Sequence, residues 1–498
     1  MTALNLSMIG ALSAEDIDIK WNDLVSKYQP LVKRLQMRIA KAILEGKHGK
    51  AKSLQWLLTH SFAAKIIAVK RVTSNTGKRT SGVDKVTWST SLSKIKAVFS
   101  LNRRGYKVSP LKRVYIPKKN GKRPLGIPTM KDRAMQALHL LALEPLAEST
   151  LEPNSYGFRP YRSVADAIGQ CFNCLAQRDS AQWILEGDIK SCFDKINHNW
   201  LIDNINMDKQ VLNKWLKSGF IDKVKFYSTN MGTPQGGIIS PTLANLTLNG
   251  MESILKQIPR KYKVNIVIYA DDFVVTASSK EILQEMVKPM IESFLQKRGL
   301  ELSREKTFIT HIDDGFDFLG FNIRKYNRKL IIKPSKSSVN NFLKDIRELV
   351  KANKTEITEK LIYLLNPKIR GWANYYRHVV SKKTFAFVDS NIFWLLYKWI
   401  KRQHPNKSVS WMNKKYFHSN GSKNWIFHAK TKNQGKTSSL DLVYAVNIPI
   451  IRHIKIKGHA NPFDPAYKEY LSNRKIKEYS SWKRKMLMDN KDRSKSKK

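Results

Sequence analysis

The chain opens with helical periodicity. Val32, Leu35, Ile39 and Ile43 recur at intervals of three and four, while Lys33, Arg34, Arg38 and Lys41 fall on the rest of the surface. This spacing predicts an amphipathic helix, and Gly46 is its expected stop because glycine readily takes the left-handed conformation that ends helices. A second amphipathic helix is expected over residues 54–69, followed by a basic, polar stretch over residues 70–79. From Val108 the period shortens to that of strands. Residues 112–117 alternate, the basic run 118–123 carries Asn120-Gly121 near its centre, and residues 125–127 return, which together predict a hairpin.

The middle of the chain reads as mixed α/β. Residues 183–190 form a strand running into a helix or turn, and two β-rich runs, 264–269 and 273–277, flank Ala270-Asp271-Asp272 as a second hairpin. Beyond Lys336 the pattern is helical again, with an aromatic-rich part over residues 371–399. From Asn473 on, Lys, Arg and Ser dominate, the composition of a frayed basic tail.

Composition then narrows the class. A chain of 498 residues implies two to four domains. Lys and Arg number 89 against 40 Asp and Glu, a net charge of +49, yet 42% of residues are hydrophobic. That apolar content excludes a disordered basic tail protein and points to a folded surface facing a polyanion, nucleic acid above all. Three cysteines make no disulfide framework, and the lone Cys171/Cys174 pair lacks the further ligands of a zinc site. Two core cysteines one helical turn apart are expected there. No window supplies the ~20 apolar residues of a membrane span; the nearest, residues 134–146, is broken by His139, Glu144 and Pro145. Glu15, Asp16 and Asp18 precede the first basic residue, Lys20, which fits neither a secretory signal nor an import peptide. The protein is therefore expected to act where it is made, in a bacterial cytoplasm or in an organelle, such as a chloroplast, that encodes it.

Asp271 and Asp272 are adjacent carboxylates between apolar runs. Buried charge is costly unless a cation shares the site, and hard oxygen ligands suit Mg²⁺; an exposed hairpin turn is the plain alternative for the pair alone. Asp188 ends a third apolar run. If that strand neighbours the hairpin, the carboxylates can converge on two Mg²⁺ ions, about 3.5–4 Å apart, suited to in-line nucleotidyl transfer.

Seven runs in order carry a family resemblance. They are Ser81-Gly82-Val83-Asp84; Lys122-Arg123-Pro124-Leu125-Gly126-Ile127-Pro128; Asp188-Ile189-Lys190-Ser191-Cys192-Phe193-Asp194; and Thr233-Pro234-Gln235-Gly236-Gly237. Then come Tyr269-Ala270-Asp271-Asp272, Phe318-Leu319-Gly320-Phe321, and Arg370-Gly371-Trp372-Ala373-Asn374-Tyr375-Tyr376-Arg377. Over roughly residues 20–470 the chain resembles the reverse transcriptase and maturase proteins encoded within group II introns.

The resemblance implies an α+β, right-hand polymerase. It places a helical N-terminal extension at residues 1–85 and fingers and palm at 86–330. A helical thumb, called domain X, follows at 331–425, and a basic C-terminal DNA-binding region and tail at 426–498. It implies that Asp188, Asp271 and Asp272 bind two Mg²⁺, with the Ile189 carbonyl completing a shell. Phe193 would exclude a 2′-hydroxyl, and Gln235 and Gly236 would cradle the incoming nucleotide. Lys118 and Arg123 would grip the triphosphate, Lys119 and Lys122 being alternatives to Lys118. Lys306 would protonate the leaving pyrophosphate; an ordinary solvated lysine is the other reading.

Arg34, Arg38, Arg370, Arg377, Lys382 and Lys383 are the candidate RNA contacts, with His378 beside them. Trp372, Tyr375 and Tyr376 could stack on bases, but such spacing more often marks core. Residues 447–465 resemble a region preceding or including the DNA-binding part. The implied function is RNA-directed DNA synthesis joined to intron splicing and mobility. Its partners would be intron RNA, a DNA target and primer, and deoxynucleoside triphosphates, without a membrane. The cysteine pairs of the family's HNH nuclease are missing after Cys192, so no DNA endonuclease activity is expected, and mobility would need a primer from elsewhere. A splicing-only maturase and a free-standing reverse transcriptase with a defence or repair role are the alternatives.

Overall fold

The computed structural model describes residues 14–118, 121–419, 424–433, 436–474 and 476. The chain forms two compact units. The first comprises Met1–Ala167, Leu185–Phe308 and Ile456–Leu471; the second comprises Ile168–Ile184, Ile309–Lys455 and Ser472–Lys498.

The first unit begins with helix α1 (Ala14–Leu44), which buries Val32 and Ile39 and leaves Arg34 and Arg38 exposed, as the periodicity predicts. Gly46, at φ +69°, ends it. The single helix expected over residues 54–69 is instead two, α2 (His48–His60) and α3 (Phe62–Ser74). Ser61 makes the break: its N–H closes α2 on the Leu58 carbonyl, and its Oγ accepts the Ala64 N–H at 3.1 Å. Apolar spacing alone does not register a serine that ends one helix while capping the next. Helix α4 (Ser91–Ser100) follows. Helix α5 (Met130–Thr150) contains the apolar window of residues 134–146 and is buried on nearly every side, the usual fate of a helix without a polar face.

Strands β1 (Leu111–Lys118) and β2 (Gly121–Ile127) make the expected hairpin, paired from Lys112↔Ile127 to Lys118↔Gly121. Its tip, Lys119 and Asn120, lies outside the described residues. Strands β4 (Phe220–Asp222) and β5 (Lys225–Tyr227) extend this sheet in the order β2-β1-β4-β5. In the sheet that carries the acidic residues, β6 (Asn265–Tyr269), β7 (Asp272–Ala277) and β3 (Trp183–Asp188) lie side by side in that order. Val267, Ile268, Phe273, Val274 and Val275 are all buried, so successive residues are covered on both faces.

The second unit carries β8 (Phe308–His311), β9 (Phe316–Phe318), β10 (Phe321–Tyr326) and β11 (Lys329–Pro334). Helices α6 (Lys336–Ala352), α7 (Thr358–Tyr376) and α8 (Lys382–Gln403) follow. A small antiparallel sheet then runs β12 (Phe417–His418), β13 (Ile426–Asn433), β14 (Lys436–Asp441). The turn between β9 and β10 holds Leu319 and Gly320 at positive φ. Tyr375 donates its hydroxyl to the Leu319 carbonyl at 2.9 Å, and Tyr376 Oη lies 3.2 Å from the Gly320 carbonyl and 2.7 Å from Ser338 Oγ. Trp372 stacks on Phe342 at 4.7 Å. The aromatics of α7 clasp this unit, but only Tyr376 is core: Trp372 is half-buried and Tyr375 is 40% exposed. Cys171 is buried and Cys174 half-buried within the helix Val164–Leu175, and neither is in a disulfide.

Candidate active site

The acidic cluster is built by backbone pairing. Tyr269 pairs with Asp272 across the β6–β7 hairpin, leaving Ala270-Asp271 as a two-residue turn with Ala270 at φ +58°. Next to it, β3 delivers Asp188 at its end. Lys190 N–H bonds to the Glu301 carbonyl at 3.0 Å and Ser303 N–H to the Asp188 carbonyl at 2.8 Å, flanking the Ile189↔Leu302 pair. In that pattern the N–H and C=O of Ile189 point the other way, towards the hairpin. Its N–H reaches the Asp271 carbonyl at 3.3 Å.

Two glycines make the approach possible. A Cβ on Gly187 would sit 2.2 Å from the Phe273 ring, and one on Gly157 would sit 2.4 Å from the Ala270 nitrogen. The segment around Gly157 is itself fixed, since Tyr156 N–H and the Asn154 carbonyl both bond Ile268 at 2.9 Å.

Charge is concentrated here. The Asp272 carboxyl is pushed up to about 6, first by desolvation, then by the Asp271 and Asp188 carboxylates, with Lys306 opposing. Asp272 still has an exposed surface, so carboxylate crowding is the part of that shift a bound cation would relieve. The buried Cys192 thiol is pushed up to about 12 by burial and by the same acids. Lys306 donates to Asp188 Oδ2 at 2.8 Å, and that bond holds its ammonium above the ordinary lysine range.

The three carboxylates are not drawn into one set of mutually close oxygens. The residues nevertheless fit a hard dication: the donors are carboxylate and carbonyl oxygens, negative charge is in excess, and a side-chain ammonium already sits against Asp188.

A second polar array centres on Gln235. Gln235 Nε2 donates to both oxygens of Asp194, at 3.0 and 3.1 Å, and Gln235 Oε1 accepts the Arg123 Nε–H at 2.9 Å. Gly126 N–H bonds to the Gln235 carbonyl at 2.8 Å. Gly236 has φ +121°, and a Cβ there would lie 2.7 Å from the Gly126 carbonyl. A cavity of about 300 Å³ opens between Arg113, Asp194, Phe220, Pro234 and Gln235. Phe193 is 9% exposed, meets Phe158 edge-on at 6.2 Å, and accepts the Thr233 N–H on its carbonyl at 2.6 Å.

The other candidates are dispersed. Arg34, Arg38, Arg370 and Lys383 are exposed. Lys382 is exposed but bonds the backbone carbonyls of Val446 and Ile448. Arg377 is half-buried at the end of α7, and its carbonyl accepts the Ile451 N–H at 2.9 Å. Lys118 ends β1, but its side chain and all of Lys119 lie outside the described residues.

Sequence reasoning missed Asp194, Arg113 and Gly157. Asp194 stood within a quoted run, and an acid following a buried aromatic was its signal. Arg113 and Gly157 gave none, because each matters only through a contact distant in sequence: Arg113 lies 3.6 Å over the Phe220 ring, and Gly157 backs Ala270.

Residues 116–323 match the family described as reverse transcriptase (RNA-dependent DNA polymerase), and residues 18–101 the N-terminal domain of reverse transcriptase. Residues 339–417 match the group II intron, maturase-specific domain. The group II intron-encoded protein LtrA of Lactococcus lactis subsp. cremoris is 30% identical over 410 residues, covering 62% of this chain and 68% of that protein. The chain belongs to the group II intron-encoded reverse transcriptases. Protein YkfC of Escherichia coli (strain K12) is 35% identical over 311 residues, 52% of this chain and 80% of that protein. Among solved structures, apo telomerase from Candida tropicalis matches over 63% of this chain and 60% of that chain, at 14% identity and a TM-score of 0.39. In this group II intron-encoded chain the reverse transcriptase segment contains the whole acidic cluster and the Arg123–Gln235–Asp194 array. Among the described residues no helix is long and apolar enough to cross a membrane.

Proposed function

We propose that the chain synthesises DNA on an RNA template at Asp188, Asp271 and Asp272, and separately binds its intron RNA to assist splicing and mobility. The observation that carries this reading is the acidic turn brought beside the end of β3, where Asp272 is held up to about 6 with neighbouring carboxylates among the causes. Asp188, Asp271, Asp272 and the Ile189 carbonyl would hold two Mg²⁺. When bound, the ions supply activation of a primer 3′-hydroxyl and stabilisation of charge on the leaving pyrophosphate.

The chain's own residues do the positioning. Arg123, Gln235 and Asp194 form a hydrogen-bonded row that orients the incoming deoxynucleoside triphosphate. Gly236 lets the backbone come close to it, and Phe193 blocks a 2′-hydroxyl. Lys118, with Lys119 and Lys122 beside it in sequence, supplies charge for the triphosphate. Lys306, once freed from Asp188, donates a proton to pyrophosphate. Arg34, Arg38, Arg370 and Lys383 offer exposed charge to RNA phosphates. Lys382 joins that set only if it leaves the Val446 and Ile448 carbonyls, and half-buried Arg377 is a further candidate.

Primer extension on an RNA template with Mg²⁺, paired with a splicing assay on the host intron, tests this directly. Asp271→Asn should abolish DNA synthesis and leave splicing assistance largely intact, because splicing chemistry belongs to the RNA. Loss of both activities in a folded variant would overturn the separation. Splicing assistance by a native chain that cannot extend a primer would establish the splicing-only reading instead.

A further inference from the structure

The small sheet of the second unit begins at Phe417, where the matched maturase segment ends, and all but that residue lies beyond it. Its register gathers chemistry on one face. β12 and β13 pair Phe417↔Phe427 and His418↔Ile426, and β13 and β14 pair His428↔Asp441. Side chains alternate between faces along a strand. Phe417 and Phe427 therefore share one face, where they meet Phe393 and Leu396 of α8 around a small apolar pocket. His418, His428, Ser439 and Asp441 share the other.

The contacts on that face are close. His418 Nε2 lies 2.9 Å from Asp441 Oδ1, and Ser439 Oγ donates to the same oxygen at 2.7 Å. His428 Nδ1 lies 3.1 Å from Ser439 Oγ, and the two imidazole rings are 4.6 Å apart. One ring nitrogen from each histidine and a carboxylate oxygen of Asp441 all fall within 4.8 Å of one another. His428 is only 7% exposed although it faces away from α8.

We propose that His418, His428 and Asp441 bind a dication of the Zn²⁺ class, which ties β12, β13 and β14 together. Two imidazoles and one carboxylate form a borderline donor set that suits Zn²⁺ better than Mg²⁺, which prefers all-oxygen shells. Each ligand comes from a different strand, so one ion crosslinks the whole sheet, including the two-residue β12. Ser439 acts from behind, holding Asp441 in place as metal-bound carboxylates are usually held. A fourth position is left for water. The site is separate from the acidic cluster in its ligands, its place in the chain and its choice of metal.

The test uses the full chain with Zn²⁺ as probe, in millimolar Mg²⁺ so that carboxylate sites are filled. Metal content is read by atomic spectroscopy after free ion is removed, and Co²⁺ in place of Zn²⁺ gives a visible absorption that reports its coordination geometry. The native chain should keep about one Zn²⁺ and gain in melting temperature. His418→Gln and Asp441→Asn should lose the ion and that gain, and Ser439→Ala should bind ~10–100-fold more weakly. His428→Gln disturbs a buried position, so the half-exposed His418 and Asp441 decide the matter if it fails to fold. A native chain that retains no Zn²⁺, or folded His418→Gln and Asp441→Asn variants that keep it, would overturn the proposal.

Discussion

Asp272 keeps its proton to a pH at which an ordinary aspartate has lost it. Its folded pKa of about 6 stands above the usual 3.8. Between those values the folded chain holds more protons than the unfolded one, so stability falls as pH rises and the contribution is gone above about 6. Without divalent cations, the native melting temperature should fall relative to Asp272→Asn as pH rises through this window. Mg²⁺ should flatten the difference. Parallel melting curves with and without Mg²⁺ would show that carboxylate crowding has no part in the shift. Asp194 invites a different measurement. It touches Gln235 rather than the reacting atoms, which makes it a positioning residue. Asp194→Asn should raise KM for deoxynucleotides about tenfold with kcat little changed, the scale of one charge-assisted hydrogen bond. A fall in kcat at constant KM would instead place Asp194 in the chemical step.

At the scale of elements, the acidic hairpin was legible because its two apolar runs are short, β-rich and separated by a turn-sized gap. That Asp188 stands beside it was only conditional in the sequence, since strand adjacency is a long-range fact. The break at Ser61 was hidden because apolar spacing does not encode a cap. Tyr376 of α7 was legible as core, but its clasp was not, because its partners, Gly320 and Ser338, lie elsewhere in the chain. Gly157 was invisible for the same reason, and it yields a sharp prediction. A Cβ there would lie 2.4 Å from the Ala270 nitrogen. Backbone cannot swing aside as a flexible side chain can, so Gly157→Ala should cost about 1–3 kcal/mol in stability. It should reduce primer extension by more than the unfolded fraction explains, because the turn carrying Asp271 must shift. Full activity at native stability would show that the turn tolerates the displacement.

For the whole molecule, the charge of +49 is the property that reaches furthest. Exposed Arg34 and Arg38 on α1 and Arg370 and Lys383 in the second unit offer phosphate contacts, whereas Lys382 turns its charge inward to backbone carbonyls. Binding of intron RNA should therefore weaken steeply with salt, and Arg34→Ala with Arg38→Ala should reduce the log–log slope by about 1–2. An unchanged slope would remove α1 from the interface.

The first unit has a seam that carries a consequence in time. Asp166 is fully buried, and its Oδ1 accepts the N–H of Ile456, 290 positions later, at 2.7 Å. Asn461 reaches back to Ser149 Oγ at 3.0 Å, and Arg162 to the Gly458 carbonyl at 2.6 Å. Ribosomes add about 5–20 residues per second, so Asp166 leaves the ribosome roughly 15–60 s before its partner exists. The part of the chain that carries the acidic cluster is thus closed by residues made some 290 positions after Asp166. A newborn polypeptide therefore acquires its finished first unit only after that delay, and the pace of the ribosome becomes a clock for its maturation.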